Sequence, residues 1–376
     1  MLYCLFHLRS IASLPDPQQK LHPDHLNRRF TDIYHVPNSR VLWQSQRRCA
    51  STNNVMNVFD RETKQRQKNR AAALPDWNVY EYVKEEIGWR VADRIFDVKR
   101  KFDVGVELGS GRGYVSRHVI QESMGYLMQC EMADKLLDQS VGPEDNVPLD
   151  RLVADEEFLP FKDNSLDIVV SSLSLHWVND LPGTFKQVNN ALKSDGAFIA
   201  ALFGGDTLYE LRCSLQMAEL ERDGGVSPHI SPFTEARDLG GLLARTGYTL
   251  VTLDVDELRV NYPSMFELMH DLQGMGESNA AWNRPLSLKR DTLLAAASIY
   301  SEMYGNEDGT VPATFQIFYL IGWKADKSQQ KPAERGSQTV SLHDLHKLDK
   351  LIDTATKTEK NIDDLEKLGL FTDKPT

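Results

Sequence analysis

Glu107-Leu108-Gly109-Ser110-Gly111-Arg112-Gly113 is the stretch whose reading decides the fold. It follows a short apolar run, Val104–Leu108, that reads as a strand, and precedes Val115–Glu122, which reads as a helix. Glycine permits the sharp turn and lets a ligand approach the backbone closely, and a helix start offers unpaired N–H groups. A dinucleotide loop is the rival reading of any short glycine pattern. Here the spacing is Gly-x-Gly-x-Gly rather than Gly-x-Gly-x-x-Gly, and an acid, Glu107, ends the strand before the first glycine. Both details favour S-adenosylmethionine (SAM). The Glu107 carboxylate would face the positively charged amino-acid end of that cofactor, directly or through water.

Working outward, strands at Tyr126–Cys130, Arg151–Ala154, Leu166–Ser171, Ala197–Phe203, Thr249–Val255 and Thr314–Trp323 alternate with helices at Leu181–Leu192, Leu208–Glu221 and Thr234–Thr246. Such alternation predicts a mostly parallel sheet. The expected fold is α/β: a class I SAM-dependent methyltransferase domain, Rossmann-like and seven-stranded, over residues 104–325. Helical cap insertions fall at about 206–232 and 262–310, with Gly274 and Gly276 as a break. Residues 51–103 read as N-terminal helices. The first carries Lys64, Arg66, Lys68 and Arg70 as a basic face, either solvated or packed beside the cofactor site. The second, Tyr80–Asp97, spaces Tyr82, Val83, Ile87, Val91, Ile95 and Phe96 helically. Residues 326–376 read as a linker followed by a flexible charged tail, with a marginal surface helix at Ser341–Lys367.

The carboxyl ends of the strands are where ligands bind in open α/β sheets. Glu131 follows the second strand, where a carboxylate can accept from a ribose diol. Asp155-Glu156-Glu157-Phe158-Leu159-Pro160-Phe161 follows the third; an acid there can accept from the adenine amino group while an apolar neighbour covers the ring. Ser171–Trp177 follows the fourth, so Ser172 to Trp177 should lie near the sulfonium and the substrate. The expected cofactor set is Glu107, Gly109, Ser110, Gly111, Gly113, Glu131, Asp155, Glu156 and Ser172. The catalytic candidates are His176, Trp177, Tyr209 and Glu210. His176 is either a base or a satisfied structural histidine. On the substrate side stand Arg212, His229, Asn279, Trp282 and Arg284, each with a structural role in the cap as its competing reading. Glu210 or Glu277 could pair with a guanidinium in bidentate fashion; Arg212 or Arg284 would instead suit an acidic acyl substrate.

The net charge of −11 argues against nucleic acid as the main partner, since phosphate binding wants a basic face. Cys4, Cys49, Cys130 and Cys213 form no CxxC pair, so neither a zinc site nor a disulfide framework is expected, and a reducing compartment follows. No apolar run approaches the roughly 20 residues of a membrane span, so membrane association would be peripheral. The first 50 residues hold no Glu and only Asp16, Asp24 and Asp32, against Arg9, Lys20, Arg28, Arg29, Arg40, Arg47 and Arg48. This Arg-rich, acid-poor leader reads as a mitochondrial transit peptide, with processing near Arg47–Ser51; a disordered tail is the competing reading.

Several segments together resemble one family. They are Leu152–Phe161, Ser171–Leu181 (SSLSLHWVNDL), Phe203–Arg212 (FGGDTLYELR), Ser227–Phe233 (SPHISPF) and Asp271–Asn279 (DLQGMGESN). The chain is similar to the methyltransferase-like mitochondrial assembly factors of respiratory complex I, over about Val55–Gly336. The last two segments are specific to that family, and the tail beyond Val340 matches less well. A more distant resemblance is to bacterial malonyl-carrier-protein O-methyltransferases of biotin synthesis. The first resemblance implies a protein-arginine hydroxylase acting on an iron–sulfur subunit of complex I. It also implies contact with other assembly factors, the mitochondrial matrix, and peripheral attachment to the inner membrane.

The residues themselves point to methyl transfer, where the protein mainly positions donor and acceptor. Hydroxylation needs an oxidant, and a common iron site uses two histidines and a carboxylate. The His-x-Asp pattern occurs at His22-Pro23-Asp24, inside the leader, and is discounted. No metal site is assigned and the oxidant stays open. Three readings stand: arginine hydroxylase, methyltransferase on a protein or acyl carrier, and non-catalytic SAM-binding chaperone.

Overall fold

The computed structural model describes residues 57–331 and 335–337. The chain divides into two units, Met1–Lys327 and Ser328–Thr376, and the fold below is that of the first. The leader, its His22-Pro23-Asp24 pattern and the Ser341–Lys367 helix lie outside the described residues.

The core is a seven-stranded sheet: β1 Gly105–Leu108, β2 Leu127–Glu131, β3 Leu149–Val153, β4 Leu166–Ser172, β5 Leu192–Phe203, β6 Tyr248–Tyr262 and β7 Val311–Lys324. Its order is β3-β2-β1-β4-β5-β7-β6, with β7 antiparallel to both neighbours. This is the class I SAM-dependent methyltransferase fold. The central strands are apolar runs buried on both faces, as parallel strands covered by helices must be. At the edge, β6 is longer than the expected Thr249–Val255. It alternates in burial and pairs with β7 from Tyr248 opposite Lys324 to Tyr262 opposite Val311, with one register shift between Thr249 and Thr252.

Helices cover both faces. Upstream of the sheet lie α1 (Arg61–Ala72) and α2 (Tyr82–Phe96). Ile87, Val91 and Ile95 stack at four-residue spacing on α2 and pack into the cluster that holds Leu127, Ile168, Val170 and Ile199. After β2 comes the short α3 (Asp134–Asp138). On the opposite face, α4 (Leu181–Ala191) and α6 (Ala236–Arg245) bury Phe185, Val188, Leu239 and Leu243 against Val106, Val169 and Phe198. The cap is built from α5 (Tyr209–Asp223), α7 (Met265–Gly274) and α8 (Arg290–Tyr304). Gly224, at φ 70°, ends α5 in the left-handed conformation that favours glycine. Side-chain caps start three helices: Asp60 accepts from Thr63 N–H, Asp180 from Gly183 N–H and Ser264 from Phe266 N–H.

One expected element is corrected. The helix at Val115–Glu122 is only a 3-10 turn, Ser116–His118, after which Val119 is extended. Val115, Val119 and Ile120 are β-branched and disfavour continuation. Among the described residues no helix is long and apolar enough to cross a membrane.

Candidate functional site

Parallel register brings the carboxyl ends of β1, β2 and β4 to one edge: Leu108 lies opposite Cys130 and Ser171. The glycine loop leaves this edge with Gly109, Gly111 and Gly113 at φ 62°, 56° and 80°. A Cβ on Gly109 would stand 2.1 Å from Ser174 Oγ, and one on Gly113 would stand 2.1 Å from the Val141 carbonyl oxygen. Ser110 N–H donates to the Cys130 carbonyl at 2.9 Å, tying the loop to β2.

Glu107 sits at the root of the loop and braces it. Its carboxylate accepts from Val115 N–H at 3.1 Å, Ser116 N–H at 3.2 Å and the Ser116 hydroxyl. Burial pushes its pKa up to about 7 against these hydrogen bonds. Glu131, fully buried at the end of β2, accepts from Gly111 N–H and Ala133 N–H, both at 3.1 Å. Asp155 and Glu156 follow β3, and Ser174 Oγ donates to Glu156 at 2.7 Å. Ser110 Oγ and Ser172 Oγ are buried without a hydrogen-bond partner. Buried hydroxyls of that kind are what a ligand can satisfy. Left-handed glycines, strand-end carboxylates and unpartnered serines together fit SAM's amino-acid, ribose and adenine groups.

The acids do not stand alone. Arg61, Lys64 and Lys68 on α1 turn inward and are buried. Arg61 pairs with Asp155 at 2.7 Å and with Glu156, lies 3.9 Å from Glu157, and donates to the Trp177 carbonyl at 3.3 Å. Lys68 donates to both Glu131 oxygens at 2.9 and 3.1 Å. Burial pushes Glu156 upward, but Arg61 and Lys68 more than offset it and hold the pKa down at about 2. Sequence reasoning placed Lys64 and Lys68 on a basic face with Arg66 and Arg70 and left Arg61 out of the site. Arg66 and Arg70 are indeed exposed. The available signal was spacing: positions 61, 64 and 68 fall on one helical face that continues into buried Ala71 and Ala72.

His176 and Trp177 lie in the 3-10 turn Leu175–Trp177 after β4. Trp177 Nε1–H donates to Glu277 Oε2 at 2.8 Å, and His176 Nε2 stands 3.6 Å from the same oxygen. Phe203 N–H points at His176 Nδ1 at 3.5 Å, at the limit of a hydrogen bond. Burial lowers the His176 pKa to about 4 despite Glu277, so the ring is neutral near neutral pH. Phe203 and Phe233 pack against the imidazole, and Phe59 meets Trp177 edge-on.

Other candidates fall elsewhere. Glu210 accepts from Thr314 N–H at 3.2 Å and from its hydroxyl, pinning α5 to β7, while Tyr209 is exposed and meets Tyr304 edge-on. Arg212 donates to the Gly205 and Thr207 carbonyls. Asn279 bridges Ser231 and the Pro228 carbonyl. His229 pairs with Glu219, Arg284 donates to the Ala281 carbonyl, and Trp282 is exposed. Among the described residues no group of three or more His, Cys, Asp or Glu is placed to hold a metal ion.

The arrangement is thus a buried acidic edge, neutralised by cations from α1, beside an aromatic box. Comparison with known proteins agrees with this architecture. A methyltransferase-domain family model matches residues 106–200. The chain is 56% identical over 312 residues to the mitochondrial arginine-hydroxylase NDUFAF5 of Homo sapiens, covering 83% of this chain and 90% of that one. It is 58% identical over 294 residues to the Mus musculus protein of the same name, covering 78% and 85%. More distantly, it is 27% identical over 268 residues to a malonyl-acyl-carrier-protein O-methyltransferase of Halorhodospira halophila, covering 70% and 89%. The chain belongs to the NDUFAF5 family of mitochondrial arginine-hydroxylases.

Proposed function

We propose that this chain is a mitochondrial protein-arginine hydroxylase serving the assembly of respiratory complex I, and that it binds SAM in the glycine-loop cradle. The observation that carries the reading is electrostatic. Asp155 and Glu156 face Arg61, and Glu131 faces Lys68, all buried. This edge is built to neutralise positive charge, and both SAM and an arginine side chain bring positive charge. Its relatives carry the name arginine-hydroxylase at more than half identity over most of the chain.

The loop from Gly109 to Gly113 would hold the amino-acid end of SAM, with the Ser110 and Ser172 hydroxyls as further partners. Glu131 would take the ribose diol, and Asp155 or Glu156 the adenine amino group. Glu107 braces the loop from beneath. Arg61 and Lys68 stand on acids the cofactor would use, and because the ribose diol and the adenine amino group are neutral, SAM would add hydrogen bonds to these acids rather than a replacement charge. When bound, SAM supplies a sulfonium electrophile. Among the protein's own groups, neutral His176 and the Trp177 face shape the side of the site that follows β4.

In the finer picture the enzyme works in the matrix, peripherally attached to the inner membrane. It acts on an iron–sulfur subunit of complex I beside other assembly factors, and residues 1–50 are its transit peptide. The malonyl-carrier methyltransferase likeness and the intact cradle favour methyl transfer as the second reading. Mass spectrometry of the complex I iron–sulfur subunit from cells with and without this protein separates them. One added oxygen on an arginine is the expected result. One added methyl group would replace the hydroxylase reading with methyl transfer, and no change would leave a binding protein.

A further inference from the structure

The Lys64 ammonium occupies a seat with unusual walls. Its Nζ lies 3.3 Å from the centroid of the Trp177 ring, 2.7 Å from the Gly276 carbonyl oxygen and 3.3 Å from Glu277 Oε2. The indole N–H of Trp177 donates to that same Oε2, so the aromatic face and the carboxylate are locked as one unit. The seat is closed to water: Lys64 is 0% exposed, Trp177 1%, and the Glu277 side chain 4%. Phe59 and Phe233 wall the indole edge-on.

We propose that the Trp177 face, the Glu277 carboxylate and the Gly276 carbonyl form the seat for the guanidinium of the substrate arginine, and that Lys64 is its resident stand-in. The proposal rests on the arginine-hydroxylase reading and names a recognition site within it.

Shape argues first. A planar guanidinium stacks flat on an indole while its edge presents a fork of N–H donors to a carboxylate. An ammonium is compact and fits that pair of surfaces less well. Glu277 Oε1 makes no hydrogen bond; its nearest cation is Lys84 at 3.0 Å, an ion-pair distance. A guanidinium fork would engage both oxygens where Lys64 engages only Oε2.

Charge argues second. Glu277 is shared between Lys64 and Lys84, so one carboxylate faces two ammonium groups. Burial, reinforced by Lys84 and Lys68, pushes the Lys64 pKa well below the usual range in spite of Glu277. A charged lysine is therefore costly to hold here. A guanidinium stays charged in any such setting. Neutral His176 adds no repulsion from the other side.

Position argues third. Trp177 ends the turn that follows β4, and Ser172, with its unpartnered hydroxyl, ends β4 itself. Lys68 meets the cofactor acid Glu131 from the same face of α1 as Lys64. The guanidinium seat and the cofactor cradle are thus neighbours under one helix.

The test uses the full chain with Lys64→Ala and small probes that replace the missing tail. N-ethylguanidine and n-propylamine are compared by thermal shift and by quenching of tryptophan fluorescence. Ethylguanidine should bind at least about fivefold more tightly than propylamine, and adding Glu277→Gln should abolish that preference. Equal or tighter binding of propylamine would show a seat built for lysine and overturn the proposal, as would failure of both probes. Should Lys64→Ala not fold, Lys64→Arg decides: a melting temperature at or above that of the unsubstituted chain supports the seat, and a clear fall refutes it. Guanidine preference without any hydroxylated arginine on the complex I subunit would leave the seat standing and overturn only the activity it serves.

Discussion

Replacing Arg61 by alanine tests the electrostatics of the acidic edge most directly. The guanidinium is held by Asp155, Glu156 and the Trp177 carbonyl, and none of the partners is exposed enough for water to take its place. Removing one partner of a buried pair strands the other and costs about 3–5 kcal/mol. For a domain of this size that lowers the melting temperature by roughly 6–10 °C at about 2 °C per kcal/mol. The deficit has a defined pH dependence. With Arg61 present, burial is outweighed and the Glu156 pKa is depressed to about 2 from its ordinary 4.5. Its contribution to stability is therefore fully present above about pH 4.5 and is lost as pH falls through that window toward 2. Without Arg61, Lys68 and the Ser174 hydroxyl remain to oppose burial, and Glu156 takes up a proton at higher pH than in the parent, which relieves the stranded charge. The gap between variant and parent should be widest near neutral pH and narrow as pH drops below about 5. Adding Glu156→Gln to Arg61→Ala should recover about 1–3 kcal/mol, because the uncompensated carboxylate is gone. Thermal melts followed by tryptophan fluorescence at several pH values read all of this. A melting temperature within about 2 °C of the parent at neutral pH, or a deficit that does not shrink in acid, would refute the argument.

Other outcomes follow from single features. Glu131→Ala should weaken binding of S-adenosylhomocysteine about tenfold in calorimetry, because hydrogen bonds to the ribose diol and the Gly111 N–H are lost together; unchanged affinity removes Glu131 from the cradle. Gly113→Ala places a Cβ 2.1 Å from the Val141 carbonyl at φ 80° and should cost more than about 2 kcal/mol in denaturant unfolding; a neutral effect would mean the loop moves freely. His176 has its pKa lowered to about 4, so the folded protein binds fewer protons than the unfolded chain between about pH 4 and 6.5, and stability should rise with pH through that window. His176→Gln should flatten that slope, and an imidazole resonance titrating near 6.5 in NMR would contradict the assignment. Deleting residues 1–50 should abolish uptake by isolated mitochondria while leaving the melting temperature unchanged; retained uptake would dismiss the transit-peptide reading.

Most of the sheet is legible in the sequence because its signals are local. Val104–Leu108 and Leu166–Ser171 are apolar runs ended by turns, and both are strands within a residue of the expected limits. The order of Glu107, Glu131 and Asp155 is legible for the same reason, since each lies within two residues of the carboxyl end of a strand. The misreadings are of another kind. The segment at Val115–Glu122 looks helical by position, but β-branched residues stop it after one 3-10 turn. Glu210, weighed as a guanidinium partner, instead accepts from Thr314, which is 104 residues further along the chain.

The cations of α1 are the instructive case. Charged residues on a helix read as a solvated face unless a counter-charge is known, and theirs lie far away in sequence: 63 residues separate Lys68 from Glu131, 94 separate Arg61 from Asp155, and 213 separate Lys64 from Glu277. No periodicity reports a pairing of that range. A chemical constraint does. Strand-end carboxylates in a Rossmann-like sheet are buried by their position, and buried charges must be paired or neutralised. Once Glu131, Asp155 and Glu156 are assigned to one edge, cations have to stand against them in the protein without cofactor. The helix bearing Arg61, Lys64 and Lys68 on one face is the element that meets this demand. Requiring charge balance of the proposed site, rather than reading each helix for its own amphipathicity, would have found α1 from the sequence. The same requirement says why a cationic ligand can enter. At Glu277 such a ligand would replace the charge of Lys64, so that acid would change partners without passing through an unpaired state.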